Sequence, residues 1–287
     1  MIKRIVVLLA GTPSDQGASQ AAVLMAKRLG ASVEGLSIKI DPTELMFRLG
    51  EGVSAESIDE IIKAAEKNSD EAAARGRAML EAAAKAAGLQ VLSSPPAKDA
   101  PGAYAHEVQG PTMDVLTQQM GLADLAVFGE PGDQAPLDLA VRVEHVMMHL
   151  RRPVLIARGA IAPTLGDKVL VPFNGTVEAC TALSRAAPIL VKSKSVEILH
   201  LAESAGDKGI AIDAQRYIRQ QGGEATINEQ LPSGKGIGED IAARAKAIGA
   251  DMIVMGGYGR SRLRELVLCG ATRHMISHAP VPVFLAH

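Results

Sequence analysis

The sequence predicts two tandem α/β domains, each a doubly wound five-stranded parallel sheet, related to each other by a pseudo-twofold axis. Three observations predict it. The 287 residues are about twice the usual domain length, and the 47% apolar content can fill two cores. Short continuous runs rich in Val, Ile and Leu alternate with longer Ala-rich stretches, as expected of strands buried on both faces and joined by crossover helices. The chain also repeats itself, block by block and in one order. Lys3–Thr12 (KRIVVLLAGT) matches Asp167–Thr176 (DKVLVPFNGT), ASVEGLSI around Glu34 matches KSVEILHL around Glu197, and Ala123–Gly132 (ADLAVFGEPG) matches Ala250–Gly259 (ADMIVMGGYG). The last blocks, VEHVMMHLRRPVLIAR and ATRHMISHAPVPVFLAH, align Pro153 with Pro282 once two extra residues are allowed in the second copy.

The second copy, 161–287, shows its elements most clearly. Its strands are expected at Lys168–Pro172, Val196–Leu201, Glu224–Glu229, Asp251–Gly256 and Val281–Ala286, and its helices at Val177–Val191, Ile210–Gln221, Gly236–Ile248 and Leu263–His278. The first copy, 1–160, follows the same plan. Its opening run Ile5–Ala10 is short for the apolar core of a secretion signal and has an internal counterpart, so it reads as a first strand. One departure is large: residues 41–88 stand where the second copy has a much shorter connection. Ser54, Ser57 and Glu60 offer N-cap chemistry there, and Ile58, Ile61, Ile62 and Ala65 form one apolar stripe. An extended crossover helix is expected, with a lid or a partner-docking surface as the alternative. The break between the copies falls at Gly159–Gly166 (GAIAPTLG), which has Gly and Pro and no periodicity.

Composition excludes several function classes. Lys and Arg number 30 against 32 Asp and Glu, a net charge of −2, which lacks the positive footprint of a nucleic-acid binder. With 2% aromatics and no Trp there is little material for base-stacking platforms. Cys180 and Cys269 have no partner at motif spacing, so neither a disulfide framework nor a zinc site is expected, and a reducing compartment suits them. No apolar run is long enough for a membrane helix. The expectation is a cytoplasmic protein that engages neither nucleic acid nor membrane.

Ligands of open α/β sheets sit beyond the carboxyl ends of the strands. In the second copy Pro172-Phe173-Asn174-Gly175-Thr176 and Met255-Gly256-Gly257-Tyr258-Gly259-Arg260-Ser261 arrive there. The second of these loops carries glycines that let backbone approach a ligand and leads into a helix whose first amides suit an anion, though Gly after a buried strand commonly just makes a turn. On these residues, and on the segment ADMIVMGGYGRSRLRELVLCGATRHMISHAPVPVFLA, the chain resembles the universal stress protein family in its tandem, Rossmann-like form. Nucleotide-binding members show G-x-x-G, nine residues, then G-S or G-T. Here Gly256, Gly259 and the nine residues Arg260–Leu268 fit, but Cys269-Gly270 stands where Gly and Ser or Thr are expected, followed by Ala271 and Thr272.

The resemblance implies an ATP or other adenine-nucleotide site in the second copy. Pro172 and Phe173 would flank the base, Asn174 would replace the usual Asp and Leu201 would line the base pocket. Gly175, Met255, Gly256, Gly259, Arg260, Gly270, Ala271 and Thr272 would complete the cleft. The first copy keeps Gly129 and Gly132 but continues Asp133-Gln134-Ala135-Pro136, has Ala10 where Asn174 stands, and brings Glu130 toward the phosphates, so it is expected to be degenerate.

Each copy ends in a nearly uncharged fifth strand, Pro153–Ala157 and Pro282–Ala286, whose open edge would invite association. Single-domain members of the family resemble dimers joined through this strand. The two strands are therefore expected to lie antiparallel in an intramolecular pseudo-dimer, with the prolines at strand starts, and a homodimer through the insertion stays open. The pairs His145/His149 and His274/His278 have i,i+4 spacing but no third metal ligand, and a structural role near helix ends is expected. Gly234-Lys235-Gly236-Ile237-Gly238 lacks the flanking residues of a P-loop. No nucleophile elbow, zinc-protease motif or paired-carboxylate motif supports catalysis. The expected function is stress response through binding, with a nucleotide-free interaction scaffold or a very weak ATPase as alternatives.

Overall fold

The computed structural model describes residues 1–39, 41, 54–96, 100–130, 136–202, 209–259 and 270–287. Its strands are β1 (Arg4–Leu9), β2 (Ser32–Lys39), β3 (Ala103–Gln109), β4 (Leu125–Gly129), β5 (Val154–Ala157), β6 (Lys168–Pro172), β7 (Ser195–Leu201), β8 (Thr226–Gln230), β9 (Met252–Gly256) and β10 (Val283–Ala286). They join in one ten-stranded sheet of order β3-β2-β1-β4-β5-β10-β9-β6-β7-β8. Within each half the neighbours are parallel; at the middle β5 and β10 run antiparallel, with Val154, Leu155 and Ile156 opposite Leu285, Phe284 and Val283. The two expected edge strands therefore close on each other. Pro153 and Pro282 immediately precede them, where no ladder amide is lost.

Helices α1 (Ser14–Leu29), α2 (Ala55–Ala87), α3 (Thr112–Met120) and α4 (Pro136–Glu144, continued by a wider turn at His145–His149) belong to the first half. The second half contributes α5 (Val177–Leu190), α6 (Gly209–Gln220), α7 (Ile237–Ile248) and α8 (Ala271–His278). The strands carry apolar residues on both faces, so each face needs a helical cover. One core lies under α1, α2, α5 and α6, and the other under α3, α4, α7 and α8. Each runs unbroken through the β5–β10 seam, with Leu155 and Phe284 in the first and Val154, Ile156, Val283 and Leu285 in the second, all fully buried.

The repeated Asp residues explain part of the internal resemblance. Asp124 accepts hydrogen bonds from the Lys3 and Arg4 amides (2.8 and 3.0 Å), and its counterpart Asp251 accepts from Gly166, Asp167 and Lys168 (2.9, 3.2 and 3.1 Å). In both halves the residue opening the fourth strand ties down the start of the first. Across the halves, the Arg28 guanidinium reaches Asp167 Oδ1 and the Gly166 carbonyl (2.8 and 2.6 Å), and Lys192 Nζ donates to the Arg28 carbonyl (2.6 Å).

The insertion contains the expected long helix. Ser54 caps α2, its hydroxyl accepting from the Ser57 amide at 3.2 Å. From Ala73 onward the helix presents Ala73, Leu80 and Ala84 to the core, but the stripe Ile58, Ile61, Ile62 and Ala65 is not buried. Its first half extends past the strand ends. The expected helix at 263–278 is described only over Ala271–His278, and residues 42–53 of the insertion also lie outside the described residues.

Candidate ligand cleft of the second half

Four connections leave the carboxyl edge of the second sheet. The turn after β6 is set by Gly175, whose φ of +73° favours glycine, and by Thr176, whose Oγ1 caps α5 by accepting from the Ala179 amide at 3.3 Å. Asn174 Oδ1 accepts from the Thr176 amide and hydroxyl (3.3 and 3.0 Å). A backbone N–H needs an acceptor, so the side-chain oxygen is committed inward and Nδ2 is the group left for a ligand. Phe173 is buried in the core under α5 and α6, with its carbonyl held by His200 Nδ1 at 3.1 Å. Only its backbone can meet a base, whereas Pro172 and Leu201 remain half exposed.

After β9 the chain turns through Gly257, Tyr258 and Gly259. The Gly257 amide donates to the Ala286 carbonyl (3.0 Å), and its carbonyl meets His287 Nδ1 (3.0 Å). Tyr258 has φ of +51°, a strained value for a side-chain-bearing residue of the kind that collects at ligand sites, and its amide donates to Thr272 Oγ1 at 3.3 Å. That bond joins the turn to the start of α8. Gly270 precedes this helix in extended conformation without a side-chain cap, and the first amides of an uncapped helix are the groups that suit an anion. Met255 is buried beneath the turn. Arg260 and Cys269 lie outside the described residues.

The glycines of this turn differ in what requires them. A Cβ on Gly256 would stand 2.6 Å from both the Ala179 nitrogen and the Glu178 carbonyl carbon, so this glycine admits the N-terminus of α5. Gly129 does the same in the first half, where Ser14 O and Oγ lie 2.9 Å from such a Cβ. The glycine the two copies share here is explained by packing. Gly259 differs: it lacks a left-handed φ, and among the described residues the atom nearest an added Cβ is Glu178 Oε2 at 3.6 Å.

Two features of the site escaped the sequence reading. Glu178 is 7% exposed, sits in the first turn of α5 and lies against the Gly256–Gly259 turn. Aligning GTPSD with GTVEA would have placed it opposite Ser14 and flagged the charge. The rim is also apolar. Val177, Ile210, Ile212, Leu231 and Ile237 are exposed, and all stand where the chain leaves the carboxyl edge after β6, β7 and β8.

The first half has the same turn, with Gly11 at φ +71°, but α2 lies on it. The Ala72 backbone occupies the space a Cβ on Gly11 would need, Arg75 Nε donates to the Gly11 carbonyl (3.1 Å), and a Cβ on Gly76 would stand 2.9 Å from Leu9 Cβ. Beneath them Asp15 accepts from the Gly11 amide at 2.7 Å, and burial pushes its carboxyl above the usual range. Glu130, expected to repel phosphates, is exposed, while Gly132 and residues 133–135 lie outside the described residues. A groove of about 710 Å3 between α1 and α2 is lined mainly by Ala, Val, Leu and Met, with Gln16, Gln20 and Arg75 as its polar residues.

The histidine pairs meet on their helices as tilted rings with centroids 5.4 and 5.1 Å apart, and His145 also meets Thr117 Oγ1 at 2.8 Å. Burial holds the His145 pKa below its ordinary value. Among the described residues no three His, Cys, Asp or Glu side chains converge, and no helix is long and apolar enough to cross a membrane. The Gly234–Gly238 segment leads into α7, with Ser233 N bonded to Asp240 Oδ2 at 3.0 Å.

Residues 166–287 match the model of the universal stress protein family. No curated protein matches the chain. Among solved structures, a universal stress protein from Archaeoglobus fulgidus superposes with a TM-score of 0.69 at 18% identity, covering 99% of this chain and 97% of its own. A functionally unknown protein from Pseudomonas aeruginosa gives 0.56 at 14% identity, covering 99% and 92%. A shorter universal stress protein, solved in complex with cAMP, covers 42% of this chain and 96% of its own at 20% identity and a TM-score of 0.37.

Proposed function

We propose, for a chain whose residues 166–287 match the model of the universal stress protein family, a protein that acts by binding an adenine nucleotide in the cleft of its second half. The observation that carries the proposal is Gly259, the one glycine of the β9 turn that neither packing among the described residues nor backbone conformation accounts for, in a turn tied through Tyr258 to the start of α8, whose N-terminus has no side-chain cap. The strained Tyr258, held to Thr272, supports the same reading, because such strain is retained where a fixed backbone serves a ligand. Pro172, Leu201 and the Asn174 amide would take the base, and Gly259, Gly270, Ala271 and Thr272 would take phosphate.

The apolar rim favours a second reading, a scaffold that presents this edge to another protein. Native mass spectrometry of the purified protein separates the two. A co-purifying nucleotide lost in Gly259→Asp supports the cleft; nucleotide-free protein that also fails to bind added adenine nucleotides at millimolar concentration leaves the scaffold.

A further inference from the structure

We propose that Glu178 sets the charge this cleft accepts, making it a site for a nucleoside monophosphate rather than a triphosphate. The inference rests on the nucleotide reading above. It begins with a difference between matched positions: Ser14 in the first half and Glu178 in the second occupy the same place beneath the glycine that ends the fourth strand, Gly129 and Gly256. The second half carries there an acidic residue that is 7% exposed. A Cβ on Gly256 would stand 2.9 Å from Glu178 Cβ and one on Gly259 3.6 Å from its Oε2, so the carboxylate borders the turn proposed to hold phosphate. Among the described residues it makes no hydrogen bond or ion pair that would neutralise it.

Two helix N-termini converge on this edge, and they differ in what they can offer an anion. That of α5 is already served, by Thr176 Oγ1 on the Ala179 amide and by Glu178 in its first turn, where a carboxylate complements the helix dipole. That of α8 has no side-chain cap. One set of free amides accommodates one phosphate. Further phosphates on the same chain would extend along the Gly256–Gly259 turn toward a carboxylate that has no cationic partner among the described residues, and like charges at that range repel.

Calorimetric titration of the full-length protein with adenosine, AMP and ATP, without magnesium, tests this. Wild type is expected to bind AMP at least about tenfold more tightly than ATP, and Glu178→Gln to reduce that ratio about tenfold by strengthening ATP. Glu178→Ser, which installs the residue of the first half, should act in the same direction, and Glu178→Asp should keep the discrimination. Thermal melting confirms that each variant is folded. ATP binding as tight as AMP in the wild type, or an ATP-to-AMP ratio unchanged in both neutral variants, would overturn the inference while leaving the nucleotide site standing. Magnesium that brings ATP to the affinity of AMP only when Glu178 is present would also overturn it, assigning the carboxylate to a cation. No binding of adenosine, AMP or ATP by any variant would instead sink the nucleotide reading itself.

Discussion

The two halves turn the same loop after their first strand, with Gly11 and Gly175 at φ +71° and +73°, yet different things rest on it. On Gly11 lies the backbone of α2, with Ala72 and Gly76 fitted against the ends of β1 and α1. Among the described residues the atoms nearest Gly175 belong to the Ile210 side chain, whose Cγ2 would be 2.7 Å from an added Cβ. A helix backbone cannot withdraw without breaking its packing, whereas a side chain can rotate. The contrast teaches that two matched loops can be covered differently by an element inserted elsewhere in the chain. The Gly11 turn is covered by a helix inserted between β2 and β3, residues that belong to neither loop.

The largest expected effect strikes what both halves share. Leu155→Asp would bury a charge at the β5–β10 seam, opposite Phe284, and should cost more than about 3 kcal/mol or prevent folding, because nothing there can pair with it. Urea unfolding and small-angle scattering would read the loss; a stable variant as compact as the wild type would contradict the seam.

Next come the glycines, which should divide by half. Gly76→Val would force a branched side chain against Leu9 and Asp15 and should destabilise by about 1–3 kcal/mol. Gly259→Ala, whose Cβ meets no described atom closer than 3.6 Å, should stay within about 0.5 kcal/mol of wild type. Equal losses in denaturant titration would erase the distinction between a filled and an open cleft. In ligand titrations, Gly259→Asp should weaken AMP by more than about tenfold through a second carboxylate beside Glu178. Glu130→Lys in the first half should create no nucleotide binding, because α2 still occupies the cleft; a new site appearing there would show that charge had been the barrier.

The smallest effect concerns pH. Asp167 joins the halves through Arg28, and its carboxyl is held below the ordinary value of 3.8, first by the Lys194 hydrogen bond and then by the neighbouring Arg28 and Lys194 charges. A depressed folded pKa contributes stability that is present above the unfolded value and lost as pH falls through the folded one. Asp15 has the opposite sign: burial raises its pKa, so its penalty appears as pH rises and protonation removes it. Melting wild type beside Asp167→Asn should show a gap that is constant near neutrality and closes only below the ordinary carboxylate range. A gap that widens in acid would refute the assignment.

Local chemistry was legible in the sequence because it depends on neighbours a few residues away. Strand runs, the Ser54 cap and the long helix follow from period and capping, the antiparallel edge pairing was expected from the cost of an open edge together with the family resemblance, and the described residues bear them out. The loops at the carboxyl edge followed from the same alternation. What each glycine was for did not. Gly256 answers to the N-terminus of α5, which comes from another part of the chain, and only proximity separates it from Gly259.

Phe173 illustrates the same limit. An aromatic at a strand end has two faces of the sheet available, and the core under α5 and α6 took it. The sequence by itself determined the elements, their order and the duplication, since those rest on short-range propensity and burial pattern. Only the tertiary structure decided which loop the helix α2 covers and which charge borders the other half's turn. Both depend on the path of α2 across β1 and on the depth at which α5 seats Glu178 beneath Gly256 and Gly259, distances that no local pattern encodes.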